Sequence, residues 1–431
     1  MSLELLRNEA LSKIDKLGHV DIVIGIPSYN NAETIGGVVE TFGGGLRRYF
    51  PELKALLVNS DGGSKDDTCG AFYGAQIPPG IERIATEYRG PSGKGSALRT
   101  VFEIGSHLNA RVCVVTDADC RTNDPQWVEQ LVRPIHGGMA GFVTPLYIRD
   151  KHDATITNGL IYPFTQALYG KDIRQPIGGD FAIAGGLLPV FTNEWHWQRF
   201  PDIATFGIDI WMTTVSVNEG VQICQTSLGH KVHQAKEPGK DLLAMFRQVV
   251  GTTFELTDHY AAKWQGIHRS QSVPTYGEEP FGEIEDVAVN DTAMLDRFYE
   301  GYRLFRSDWE EVLSRHAFEE LRRVREQHFS SFTFPVDLWA KVVYEFAAYY
   351  CLACTTREKK NAVLEAMIPL YLARTASYVR ELIIISDELA DAFVRGCAHV
   401  FVRLKPYLLR RWQHLNGLRD RADTRRAKTS G

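Results

Sequence analysis

The stretch DIVIGIPSYNNAETIGGVVE, residues 21–40, begins with a β-branched run and passes through a polar, proline-containing loop into an amphipathic segment. Strand, loop and helix in that order make half of a βαβ unit. Outward from it the pattern repeats. The first helix is predicted from about Asn31; ALLVNS (55–60) precedes a helix from Ser64, ERIATEY (82–88) one from about Gly93, and RVCVVTDADC (111–120) one from Pro125. Strands alternating with helices require right-handed crossovers, so the fold class is α/β, a mostly parallel sheet with helices on both faces. Ligands of such sheets gather beyond the carboxyl ends of the strands, which points to residues 27–31, 61–64 and 117–119.

After about residue 238 the texture turns to amphipathic helices such as DLLAMFRQVVGTTFELTDHYAAKW and DWEEVLSRHAFEELRRVREQHF, with a polar loop over 266–290. The expected organisation is an N-terminal helix over 1–20, an α/β domain over 21–238 and a helical domain over 239–431. Its basic end, RDRADTRRAKTSG, is expected to fray into solvent. A chain of 431 residues with 44% hydrophobic and 23% charged content supports two or three cores and excludes a disordered or fibrous protein. The formal net charge of -5 creates no field that would gather nucleic acid or an anionic membrane.

Seven irregularly spaced cysteines and a start without an apolar signal core predict a reducing, cytoplasmic setting. Cys351 and Cys354 follow the apolar run WAKVVYEFAAYY and lack a second pair to complete a zinc site, so packing is their expected role. The most apolar stretch, 338–354, carries Lys341 and Glu345 and is shorter than the roughly 20 residues of a membrane span, so no transmembrane helix is expected.

Chemistry concentrates at the strand ends. RVCVVTDADC closes on Asp117-Ala118-Asp119. In an extended chain residues two apart point the same way, so both carboxylates are expected to face one site. Two hard oxygen donors suit Mg2+ or Mn2+ bridging a diphosphate. A D-x-D alone also fits a solvated turn. RGPSGKGSALRT (89–100) adds glycines that let backbone approach a ligand, Lys94, and a helix amino terminus that favours anions. An ordinary loop tip is the plain alternative, and the phosphate-loop pattern is absent. In VNSDGGSKDDT (58–68), Ser64 reads as the N-cap of the following helix.

These elements, in this order, resemble the family 2-like GT-A glycosyltransferases, and within them the mannosylglycerate, glucosylglycerate and glucosyl-3-phosphoglycerate synthases. The likeness covers roughly 21–240 and extends through QPIGGDFAIAG (175–185) and FGIDIW (206–211). It implies a GT-A domain, followed by the all-helical C-terminal domain read above from its amphipathic pattern, and a nucleotide-diphosphate sugar as donor. By resemblance Pro27, Tyr29, Asn31 and Asp61 line the nucleotide, with Asp61 bonding the base, and Lys94 and Asp117 meet the pyrophosphate. Gly178, Gly179 and Asp180 line the sugar, and Asp209 stands near the reacting centre. G-G-D is also an ordinary turn and Asp209 also a helix N-terminal acid. The relatives add a histidine to the metal site, and SLGHKVHQAKEP (227–238) places His233 there with Asp117 and Asp119. In an extended segment His230 points the other way.

For the acceptor, phosphoglycerate-using relatives carry an arginine in a G-R-V-T element, whereas DATITNGLIYPF (153–164) has Thr155 at that place. Arg149 and Thr157 match the arginine and threonine that hold glycerate in mannosylglycerate synthases. The expected function is a metal-dependent, retaining hexosyltransferase with Lys94 and Asp209 as catalytic residues. It moves glucose or mannose from UDP-glucose, GDP-glucose or GDP-mannose to D-glycerate, giving a compatible solute. Relatives suggest a homodimer. The alternatives are 3-phosphoglycerate, a lipid or a polysaccharide as acceptor, or a non-catalytic nucleotide-sugar sensor. A sugar nucleotidyltransferase would open with a glycine-rich phosphate loop, and IPSYNNAET offers none.

Overall fold

The computed structural model describes residues 8–232, 241–278 and 287–429. Its strands are β1 (Ile22–Ser28), β2 (Ala55–Asp61), β3 (Glu82–Glu87), β4 (Val112–Val115), β5 (Phe142–Ile148), β6 (Lys171–Asp172), β7 (Phe181–Ala184), β8 (Ile223–His230), β9 (Gln271–Ser272) and β10 (Thr275–Tyr276). Eight form one sheet in the order β10-β8-β5-β7-β4-β1-β2-β3, and β6 pairs with β9. Within the large sheet only β7 runs antiparallel, to β4 and β5. This is the mostly parallel α/β architecture expected.

β1, β2 and β4 are buried along almost their whole length, the mark of strands covered on both faces. On one face Val38, Phe42 and Leu46 of the helix Ile35–Tyr49 and Trp127, Val128 and Leu131 of the helix Gln126–His136 close over Ile24, Ile26, Leu57 and Val114. The alternate face of β1 receives the helix Lys94–His107, with Val101 opposite Gly25. β1 pairs with β2 on one side and β4 on the other, so the strand order reverses there, and the crevice beyond that point is where such sheets bind ligands.

The first two helices start four residues later than expected, at Ile35 and Thr68. Residues 30–32 and 64–68 instead hydrogen-bond to one another. Ser64 caps nothing, since Asp67 precedes the helix Thr68–Gly74.

The chain divides into two compact units: Met1–Arg149, Ile173–Thr252 and Val273–Glu285 in the first, and Asp150–Asp172, Thr253–Ser272 and Asp286–Gly431 in the second. A single cut at 238/239 differs from this division, chiefly because Asp150–Asp172 groups with the helices. Polar anchors on backbone carbonyls hold it there: Lys405 Nζ donates to the Leu168 and Ile267 oxygens at 2.8 and 2.6 Å, and Trp339 Nε1 to the Gly159 oxygen at 2.7 Å. In the second unit the helix Val336–Leu352 packs on Asp387–Thr429, and Asp291–Leu304 on Arg357–Leu382. Cys351 donates to the Phe254 carbonyl at 3.1 Å, and burial raises the Cys354 thiol to about 11, so both belong to packing. The basic end does not fray at 419: the helix Asp387–Thr429 continues through it. Among the described residues no helix is long and apolar enough to cross a membrane.

Candidate functional site

All residues of this site except Thr157 lie in the first unit, most of them beyond the carboxyl ends of parallel strands. At the end of β2 the Asp61 carboxylate accepts from the backbone N–H groups of Gly63 and Ser64, both at 2.7 Å, from the Ser64 hydroxyl at 2.6 Å and from the Ser28 hydroxyl at 3.0 Å. A carboxylate has about four acceptor positions, so Asp61 is fully engaged in holding its own turn. Asn31 is similarly local: its side chain accepts from Tyr29 N–H at 2.9 Å and its N–H donates to Thr68 Oγ1 at 2.8 Å. The loop after β1 is thereby fixed against the loop after β2, with Pro27 half-buried and Tyr29 55% exposed, an aromatic face open at the strand end.

The glycines beside Lys94 serve the fold. A Cβ on Gly95 would lie 1.6 Å from the Ile203 carbonyl oxygen, and one on Gly93 would lie 2.4 Å from that of Ala204. They let the helix Lys94–His107 start against the backbone of Pro201–Ala204, which fills the space expected for a ligand. Lys94, the first residue of that helix, reaches Asp117 Oδ1 at 2.8 Å and Asp209 Oδ2 at 3.2 Å.

β4 stops at Val115, and Ala118 and Asp119 form a turn. The extended-chain premise for both carboxylates facing one way therefore does not hold. Asp117 points between two ammonium groups, Lys94 and Lys231, each 2.8 Å from one of its oxygens. Asp119 is half-buried and makes no hydrogen bond or ion pair among the described residues.

Behind Asp117 lies a network the sequence reading missed. Lys231, its side chain 1% exposed, also holds Asp180 Oδ2 at 2.5 Å and the Gly178 carbonyl at 3.2 Å. Asp180 accepts from the Thr116 hydroxyl at 2.5 Å and from the Tyr147 hydroxyl. Val115 pairs with Phe181 across β4 and β7, which brings residues 116–117 beside Asp180. Gly179, at φ +95°, has no room for a side chain: a Cβ would lie 2.3 Å from Asp117 Oδ2. The only signal for Lys231 was a lysine directly after a buried strand, flanked by two more conspicuous histidines.

Burial works against ionising Asp117, but the Lys231 and Lys94 ammonium groups outweigh it and hold the carboxyl well below its usual range. Burial likewise opposes charge on Lys94 and Lys231, and their carboxylate partners raise both above an ordinary lysine. Asp209 goes the other way: burial pushes its carboxyl up, and Lys94 only partly offsets this. Its Oδ1 is buried without a hydrogen-bond donor among the described residues, an acceptor ready for a ligand hydroxyl.

A divalent cation fits this donor set in part. Asp119 is an uncommitted hard-oxygen ligand of the kind Mg2+ and Mn2+ take, whereas each Asp117 oxygen already faces an ammonium group. His233 lies outside the described residues, and among those described no cluster of three or more metal-binding side chains occurs. The chain leading toward it is anchored on the D-A-D turn, with Arg121 N–H donating to the Val232 carbonyl at 3.0 Å and Val232 N–H to Thr122 Oγ1 at 2.9 Å.

The expected acceptor residues fall in different units. Arg149 ends a segment of the first unit, its guanidinium 5.2 Å from the Tyr147 ring centre. Thr157, buried, opens a π-helical turn, Thr157–Ile161, in the second. Thr155 shares a hydrogen bond with the Tyr371 hydroxyl at 2.7 Å.

No family model matches the chain. It is 26% identical over 243 residues to the glucosyl-3-phosphoglycerate synthase of Mycolicibacterium smegmatis, spanning 53% of this chain and 74% of that protein. Similar solved structures include the glucosyl-3-phosphoglycerate synthase from Mycobacterium tuberculosis in complex with Mn2+, uridine-diphosphate-glucose and phosphoglyceric acid. There the identity is 21%, the coverage 55% of this chain and 79% of that one, and the TM-score 0.42. For its complex with Mg2+ and uridine-diphosphate the values are 21%, 56%, 83% and 0.43. The chain thus resembles the synthases that its strand-end motifs suggested.

Proposed function

We propose that this protein is a hexosyltransferase that moves glucose or mannose from a nucleotide-diphosphate sugar to a glycerate-type acid with retention of configuration. The observation that carries the reading is the buried cluster of Lys94, Asp117, Lys231, Asp180 and Asp209 at the β1/β4 switch point. It aligns cations and carboxylates where a diphosphate and a sugar would lie. Lys94 turns from Asp117 toward the diphosphate and lends it positive charge as the leaving group departs. Asp209 Oδ1 takes a hydroxyl of the transferred sugar or of the acceptor, and the turn of Gly178, Gly179 and Asp180 supplies backbone groups beside it. The exposed ring of Tyr29 gives the base a stacking face. Asp119 with Asp117 and His233 would hold Mg2+ or Mn2+, which would supply a Lewis acid to neutralise the leaving diphosphate.

Free glycerate is the acceptor this chain's residues support. Thr155 stands where the resemblance puts the arginine for an acceptor phosphate, and its hydroxyl is paired with that of Tyr371. Arg149 offers the guanidinium fork that suits a small carboxylate. A second reading, 3-phosphoglycerate, has the name of the M. smegmatis relative in its favour. The test is turnover of UDP-glucose, GDP-glucose and GDP-mannose with D-glycerate and with 3-phosphoglycerate, each with Mg2+, Mn2+ or chelator. Metal-dependent product with glycerate alone supports the first reading. Preference for the phosphorylated acid supports the second, and tight donor binding with no transfer to either points to a sensor.

A further inference from the structure

We infer that Tyr147 is a positioning residue that ties the donor-side charge cluster to Arg149 through one side chain, an inference that rests on the proposed role of Arg149 toward the acceptor. Tyr147 is 5% exposed near the end of β5. Its hydroxyl donates to Asp180, the carboxylate that Lys231 also holds. Lys231 Nζ and the Arg149 guanidinium each lie 5.2 Å from its ring centre. Both are within the roughly 6 Å at which an aromatic ring attracts a cation.

The backbone is shaped for this arrangement. β5 and β8 pair in regular parallel register up to Leu146 opposite Ser227, and the next pair is Tyr147 opposite Gly229. One extra residue, Leu228, therefore interrupts β8, and bulges of this kind change which side chains face a site. Tyr147 lies just past the bulge, and Arg149, the first residue after β5, brings its guanidinium back to that ring. Gln175 fixes the Tyr147 backbone, its Nε2 donating to the Tyr147 carbonyl at 2.9 Å while its Oε1 lies 3.4 Å from the Tyr147 nitrogen. Trp127 packs on the ring at 5.6 Å. A rigid ring thus touches the cations of both substrate regions.

The hydroxyl and the ring can be separated experimentally. Tyr147→Phe keeps the ring and removes the hydrogen bond to Asp180, while Tyr147→Leu removes both. In the full chain, kcat and both KM values are measured with the active donor and acceptor pair, alongside melting temperature and calorimetric binding of UDP and GDP with Mn2+. Tyr147→Phe is expected to lower kcat about tenfold, the usual effect of a lost hydrogen bond to a charged group, with acceptor KM within about twofold. Tyr147→Leu is expected to raise acceptor KM about fivefold or more, and adding Arg149→Ala to it raises acceptor KM little further. The inference is overturned if Phe and Leu give the same acceptor KM, if the Arg149→Ala effect is fully additive, or if only the melting temperature moves. Should wild type turn over neither acid, the acceptor reading fails by itself. The donor half is then decided by nucleotide binding, which Tyr147→Leu must weaken and which, if unchanged, sinks the inference.

Discussion

Replacing Lys231 by Met tests the charge cluster most directly. The lysine side chain is 1% exposed and contacts Asp117 Oδ2 at 2.8 Å, Asp180 Oδ2 at 2.5 Å and the Gly178 carbonyl at 3.2 Å. Removing one partner of a buried ion pair typically costs about 3–5 kcal/mol, because the other charge stays desolvated. Asp117 retains Lys94, and Asp180 retains the Thr116 and Tyr147 hydroxyls, which places the loss near the low end, about 3 kcal/mol. For a unit of this size that corresponds to a melting point lower by roughly 6–12 °C.

The pH dependence has a definite sign. The Asp117 carboxyl is held well below its usual range, so its stabilisation is present above the unfolded carboxyl pKa of about 3.9 and is lost as pH falls through the folded value. Lys231→Met removes the largest favourable charge on Asp117, so the gap between wild type and variant should be widest near neutrality and narrow in acid. Scanning calorimetry from about pH 7 down to about pH 2 measures it, since the narrowing sets in only as pH falls well below the ordinary carboxyl value. A variant melting within about 2 °C of wild type near pH 7, or a gap that widens in acid, would refute the reasoning.

Asp119→Asn should weaken Mn2+ binding in the presence of UDP by at least about tenfold, while the melting temperature stays put, since this carboxylate has no partner among the described residues. Titration calorimetry decides it, and unchanged affinity would remove Asp119 from the metal site. Gly95→Ala, whose Cβ would meet the Ile203 oxygen at 1.6 Å, should destabilise by about 2–3 kcal/mol or more. Urea titration checks this, with Gly186→Ala, which has nothing within 4 Å, expected to stay within about 0.5 kcal/mol of wild type.

β1, β2 and β4 were legible because buried parallel strands are written as apolar runs, and each run ends where polar residues mark the site. What could not be read was direction. D-A-D was visible, but its geometry depended on where β4 stops, and it stops two residues before Asp117. Lys231 was hidden for a related reason: alternation along SLGHKVH assigns faces only if the strand is regular, and the extra residue at Leu228 breaks the count. The glycines of G-K-G looked like ligand space because a sequence does not show that the Pro201–Ala204 backbone fills it. Asp150–Asp172 groups with the helices through bonds to its carbonyls, which every residue possesses and no pattern reveals.

Charge at the site constrains how a donor enters. Asp117, Asp119, Asp180 and Asp209 carry four negative charges when ionised, and Lys94 and Lys231 carry two positive ones, leaving a local excess of two negatives. A diphosphate arriving alone would add like charge to a low-dielectric pocket, where repulsion is weakly screened. A divalent cation brought with it cancels the excess, and Lys94, 15% exposed against the 1% of Lys231, is the ammonium with room to turn from carboxylate to phosphate. In the proposed reaction Lys231 would be the fixed charge that keeps Asp117 ionised while Lys94 turns to the diphosphate. UDP should therefore bind much more weakly in chelator than with Mn2+, and Asp119→Asn, which lowers the excess by one, should shrink that difference. Equal UDP affinity with and without metal in the wild-type chain would mean that the two lysines alone suffice for the diphosphate.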